Sequence, residues 1–94
     1  MAFFVYIILC KDGSFYTGYT KNLYERTRLH ANGKGARYTR MHKFERVAYI
    51  QVFDSRVKAL KRERAIKKLS HQEKLDLINL QHLPTKFRFI REQN

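Results

Sequence analysis

This chain predicts an α+β fold, a three-stranded antiparallel sheet flanked by helices, from three observations. Phe3 to Cys10 and Ser14 to Thr20 are rich in β-branched and aromatic residues, and Lys11-Asp12-Gly13 between them is a hairpin turn signature. A third run of the same character, Val47 to Phe53, supplies the remaining strand. Asn22 with Glu25, and Ser70 with Glu73, have the spacing of capping boxes that open helices. At 94 residues, with 44% hydrophobic and 14% aromatic content, the chain suits one small domain with a compact core.

The hairpin register decides which side chains meet. A two-residue Asp-Gly loop would pair Tyr6 with Tyr19 and send Tyr6 and Tyr16 to opposite faces. If Lys11 and Asp12 form a type I turn and Gly13 takes the left-handed position of a bulge, Tyr6 faces Gly18 and Ile8 faces Tyr16. Both tyrosines then share a face, and this is the register we expect. Gly18, lacking a side chain, is expected to leave open backbone beside Tyr6 where a substrate group approaches.

Asn22 caps a helix from about Leu23 to Ala31, which Asn32-Gly33 ends. Arg26 and His30, four residues apart, lie on one face of it. Gly33 to Arg46 reads as a loop with room for a short helix; Lys34, Arg37, Arg40, Lys43 and Arg46 recur every third residue around Tyr38 and His42. Strict alternation in the third strand places Val47, Tyr49 and Phe53 on one face and Ala48, Ile50 and Val52 on the other, both covered. Asp54 or Ser55 caps a helix to about Leu69, on which Glu63 falls between Leu60 and the pair Ala59 and Ile66, so its carboxylate points toward the protein body. A short helix from Ser70 to about Leu80 follows, and Pro84 closes it. Residues 1–83 are expected to form the domain and 84–94 a tail, either an added edge strand or a segment that orders on binding.

Twenty Lys and Arg against eight Asp and Glu give a formal net charge of +12, which points to a polyanionic partner. The helices spend their apolar faces on a core, which argues against a membrane surface. Ala2 to Cys10 is too short to span a bilayer and lacks the basic flank of a signal peptide. A lone cysteine, Cys10, excludes an intramolecular disulfide or a CxxC site, so a cytoplasmic protein is expected. Cys10, His71 and His82 have no metal-ligand spacing. The basic run from Lys34 to Arg46 suits phosphate contacts, with Lys34, Arg37 and Arg40 as cations and Tyr38 as a stacking surface.

Phe4-Val5-Tyr6 and Tyr16-Thr17-Gly18 resemble the two motifs of the GIY-YIG nuclease superfamily, in particular its small stand-alone domains. Asn22-Leu23 followed by Arg26 and His30, the run Gly33 to Arg40, Phe53 to Arg56, and Ala59 to Glu63 extend the resemblance to about Leu80. The resemblance implies a metal-dependent DNA endonuclease or nickase, set in repair or recombination. It makes Tyr6, Tyr16, Arg26, His30 and Glu63 the catalytic group, Gly18 part of the substrate-facing surface, and Glu63 the protein ligand of one Mg²⁺ or Mn²⁺. By the same resemblance Tyr6 is the general base toward water with His30 taking its proton, Tyr16 positions phosphate or water, and the two tyrosine roles are exchangeable. Asn79 lacks the flanking pattern of the family's asparagine and is left out of the site, and Tyr19 stands where some relatives carry a basic residue. Taken alone, strand tyrosines are ordinary packing residues, Arg26 with His30 an ordinary solvated helix face, and Glu63 a structural partner for Arg26 or Lys67. The rival readings are a non-catalytic nucleic-acid-binding module on the same scaffold and, more remotely, an adaptor for an acidic protein surface. DNA is the expected partner with RNA still open, and the chain is expected to be a monomer or weak dimer.

Overall fold

A computed structural model describes residues 1–81; the expected tail strand, and His82, lie outside the described residues. Seven elements follow in order: β1 (Phe3–Cys10), β2 (Phe15–Thr20), α1 (Leu23–Ala31), α2 (Arg37–His42), β3 (Phe44–Phe53), α3 (Arg56–Lys67) and α4 (His71–Gln81). The strands form an antiparallel sheet in the order β2-β1-β3. The fold is α+β, as the sequence predicts.

The hairpin adopts the three-residue loop. Gly13 has φ +86°, its N–H donates to the Cys10 carbonyl at 2.9 Å, and the Cys10 N–H donates to the Ser14 carbonyl at 2.9 Å. A left-handed residue at that point carries little steric penalty only for glycine. Tyr6 consequently pairs with Gly18 and Ile8 with Tyr16. Asp12 closes the turn by accepting from the Ser14 N–H at 3.0 Å and from its hydroxyl at 2.6 Å, and it also meets the His42 imidazole at the end of α2. His71 opens α4 by contacting the Gly13 carbonyl at 2.9 Å and stacking on Phe15 with ring centroids 4.6 Å apart.

β3 departs from strict alternation. It begins at Phe44, and the register against β1 shifts between Ile7 and Ile8 and again between Leu9 and Cys10. Ile7 pairs with Tyr49 but Ile8 pairs with Val47, so Ala48 is an extra residue in a bulge. Val47 therefore joins Ile50 beside Tyr6 and Ile8, while Tyr49 joins Ala48 and Phe53 on the opposite face with Val5 and Ile7. The expected grouping of Val47 with Tyr49 fails because a bulge inverts every face assignment beyond it. Val52, expected to be covered, is exposed. Gln81 covers part of the outer β3 edge: its side-chain carbonyl accepts from the Ile50 N–H at 3.0 Å and its amide meets the Ile50 carbonyl.

The sheet divides the core into two layers. On one face Tyr6, Ile8 and Cys10 pack with Val47, Phe44 and Leu23 of α1. On the other Val5, Ile7 and Tyr49 pack with Ala59 and Ile66 of α3 and Ile78 of α4. Helices α1, α3 and α4 are capped where the sequence places them, while α2 has no side-chain cap at Ala36. The Asn22 side chain accepts from the Glu25 N–H, Ser55 accepts from the Lys58 N–H, and Ser70 with Glu73 closes a reciprocal box at 2.8 and 3.1 Å. The triplet repeat of basic residues is broken by this folding: Arg37 and Arg40 lie on α2, Lys43 turns the chain at φ 68°, and Arg46 pairs with Leu9 in the sheet.

Candidate active site

Tyr6 and Tyr16 project from neighbouring strands on the same face, 6.4 Å apart between ring centroids, and α1 lays His30 across both. Arg26, one turn earlier on α1, lies in polar contact with both phenols. Glu63 comes from α3 on the far side of the sheet, and its carboxylate is close enough to act on the Tyr6 phenol. Tyr6, Tyr16, Arg26 and His30 are thus brought together on one face, and Glu63 acts on Tyr6 through its charge.

The hydrogen bonds fix where the protons are. The Thr39 hydroxyl donates to the Ala36 carbonyl at 2.9 Å, so it accepts from His30 Nδ1, 2.7 Å away. With its proton on Nδ1, neutral His30 presents a lone pair at Nε2, and the Tyr6 hydroxyl donates to it at 3.0 Å. Burial first, and the charge of Arg26 second, hold His30 down to about 4, so it is neutral across the physiological range. Burial, reinforced by the nearby Tyr16 and Glu63 and opposed by Arg26, pushes Tyr6 up to about 12. The resting pair is therefore neutral tyrosine and neutral histidine, with the tyrosine proton already aimed at the imidazole.

Burial of Arg26 works against its charge, but contact with Tyr6 and Tyr16 outweighs this and holds it above its ordinary value. Glu63 is largely buried, its side chain 13% exposed, and its ion pair is with Lys67 at 3.6 Å, a long contact to a more exposed partner. No group of three or more His, Cys, Asp or Glu side chains able to hold a metal ion occurs among the described residues. One carboxylate fits a hard cation such as Mg²⁺ or Mn²⁺ that keeps most of its waters, and it does not fit a closed zinc site.

Two glycines make the cluster possible. A Cβ on Gly18 would stand 2.6 Å from the Tyr6 hydroxyl and 2.8 Å from its Cζ, and Gly18 is buried. The room expected there for substrate is taken by the Tyr6 phenol itself, so this glycine seats the phenol. A Cβ on Gly35 would fall on His30 Nδ1, which is how the chain after α1 passes over the imidazole to deliver Thr39. Thr39 and Gly35 are not among the residues expected to form the site, although both lie in the Gly33 to Arg40 run that carries part of the resemblance. Lys34, Arg37 and Arg40 are exposed, and Tyr38 of α2 stacks on His42 at 4.1 Å while lying 6.0 Å from Tyr16. Asn79 is exposed on α4, and Cys10 is buried and free.

The three-stranded antiparallel sheet flanked by helices is consistent with one class of catalytic domain. The family model of the GIY-YIG catalytic domain matches residues 2–88, and the chain belongs to that family of nuclease-type domains acting on nucleic acids. Within it the chain is similar to the small UPF0213 proteins. It is 47% identical over 76 residues to one from Staphylococcus saprophyticus, covering 81% of this chain and 93% of that one. A UPF0213 protein from Bacillus halodurans, solved by NMR, is 44% identical with a TM-score of 0.58 and 89% of each chain covered. A protein from E. faecalis, also solved by NMR, is 36% identical with a TM-score of 0.58, covering 89% of this chain and 93% of that one. No helix among the described residues is long and apolar enough to cross a membrane.

Two outcomes follow from the geometry. Gly18→Ala should lower stability by about 1–3 kcal/mol in urea unfolding, because the added methyl meets a phenol with no room to retreat. Acidification should also destabilise the protein. Folded His30, at about 4 against an ordinary 6.5, binds its proton more weakly than the unfolded chain does. Stability from this group is complete above pH 6.5 and is lost as pH falls through about 4, on the order of 3 kcal/mol in all. Urea midpoints measured across that window, with the His30 ring followed by NMR, check the sign.

Proposed function

We propose that the protein is a divalent-metal-dependent endonuclease or nickase that hydrolyses phosphodiester bonds in DNA, in a repair or recombination setting. The observation that carries this reading is the directed relay from Tyr6 through His30 and Thr39 to the Ala36 carbonyl. A packing tyrosine needs only a partner for its hydroxyl; here the partner is a buried, neutral base with its tautomer fixed. Tyr6, as the phenol with a base already bonded to it, is the proton acceptor toward an attacking water, and it passes its own proton to Nε2 of His30.

In the free protein that transfer is uphill, since burial holds Tyr6 at about 12 and His30 at about 4. Substrate changes the balance. A phosphate oxygen drawn to Arg26 forms charge-assisted hydrogen bonds with its guanidinium and loosens it from the phenols, opening the Tyr6 oxygen to water. Tyr16, half-buried beside Arg26, orients the phosphate. Glu63 would hold the Mg²⁺ or Mn²⁺, which when bound supplies positive charge for the departing oxygen. The cations of α2 hold the backbone of the substrate without reading its bases.

Supercoiled plasmid and branched DNA, incubated with Mg²⁺, Mn²⁺ or EDTA, test the reading. Nicking should require metal and fall by roughly a hundredfold or more in Tyr6→Phe and Glu63→Ala. Salt-sensitive binding with no cleavage under any metal would make the protein a non-catalytic nucleic-acid-binding module.

A further inference from the structure

β2 leaves the sheet at Thr20 and the chain turns through Lys21 into α1. At that corner opens a cavity of about 460 Å³ lined by Phe3, Tyr19, Thr20, Lys21, Arg26 and Arg56. Its size falls within the range of small-ligand sites. Three of the six lining residues are cations and none is a carboxylate. Elsewhere on α3 the cations Lys58 and Lys67 are paired with Asp54 and Glu63. Arg56 instead donates from Nε to the Tyr19 hydroxyl at 3.1 Å, which anchors the guanidinium while leaving its two amino groups for another acceptor. Among the described residues no ion pair involves Lys21, Arg26 or Arg56.

Like charges gathered around a concave site raise its potential and favour an anion there. The rest of the lining narrows the choice of anion. Phe3 and Tyr19 supply ring surface, and cations beside aromatic rings suit a phosphate joined to a base and sugar better than a bare anion. Arg26 lies at once in the lining and against the two phenols, so the cavity continues directly from the catalytic cluster. Tyr38 of α2 stands on the Tyr16 side of the same cluster.

We propose that this cavity is a nucleotide subsite, holding the residue next to the phosphate engaged by Arg26. Lys21 and Arg56 bind its outer phosphate, and Tyr19 and Phe3 pack its base or sugar. The substrate strand then runs from α2 across Tyr16 and Arg26 to the corner between β2 and α1. The subsite rests on the nuclease reading for its place beside a scissile phosphate, but its occupancy can be measured without cleavage.

The probe is thymidine 3′,5′-bisphosphate, titrated without divalent metal into ¹⁵N-labelled protein and followed by amide shifts, with inorganic phosphate in parallel. Saturable shifts should centre on Phe3, Tyr19, Lys21 and Arg56, and the bisphosphate should bind more tightly than phosphate. Combining Lys21→Ala with Arg56→Ala should weaken it roughly tenfold or more, with the spectrum of the free protein otherwise preserved because both side chains are exposed. Shifts confined to Lys34 through Arg40, or equal affinity for inorganic phosphate, would overturn the subsite. Plasmid nicking that persists while the bisphosphate fails to bind removes the subsite and leaves the nuclease reading. Binding at this corner by a protein that never nicks supports the subsite and removes that reading.

Discussion

The hydrogen bond from Tyr6 to His30 is the constraint on which the site depends, because three separate parts of the chain must be placed correctly for it to form. The hairpin loop must carry one residue beyond a two-residue turn, so that Tyr6 lands opposite Gly18 rather than Tyr19. Helix α1 must start at Asn22 so that Arg26 and His30 present the same face to the sheet. The segment after α1 must cross the imidazole at Gly35, where no side chain fits, to bring Thr39 onto Nδ1. A change in any of these leaves a phenol and an imidazole buried without the partner that makes their burial tolerable.

Local rules made much of this legible in the sequence. Gly13 and the length of its loop are enough to set the hairpin register, and Asn22 and Ser70 mark helix starts because their side chains bond amides only a few residues away. What stayed hidden depends on distant contacts. The bulge at Ala48 is invisible to period-two reasoning, which assumes that no residue is inserted, and every face assignment past it inverts. Gly18 was legible as a position needing no side chain, but whether substrate or the Tyr6 phenol would fill the space is a packing question. Thr39 and Gly35 act on His30 across a loop, and Arg56 meets Tyr19 across 37 positions of sequence, so neither carries a local signature.

Charge is distributed along the same lines. Exposed cations lie on α2 and at the β2–α1 corner, while several acidic residues serve local geometry: Asp12 in the hairpin turn, Glu25 with Arg28, Asp54 with Lys58 and Glu73 at a helix cap. Glu63 differs from these in being largely buried and acting on Tyr6. A net charge of +12 favours a polyanionic partner, and Arg26 brings one of its cations directly against the Tyr6 and Tyr16 phenols.

The state of the His30 ring tests this most directly. Long-range ¹H–¹⁵N NMR of the imidazole at neutral pH should show a protonated Nδ1 and an unprotonated, hydrogen-bonded Nε2, with the Thr39→Val protein losing that preference and Thr39→Ser keeping it. A ring protonated on Nε2 in the native protein would contradict it, because Tyr6 would then have no base to receive its proton.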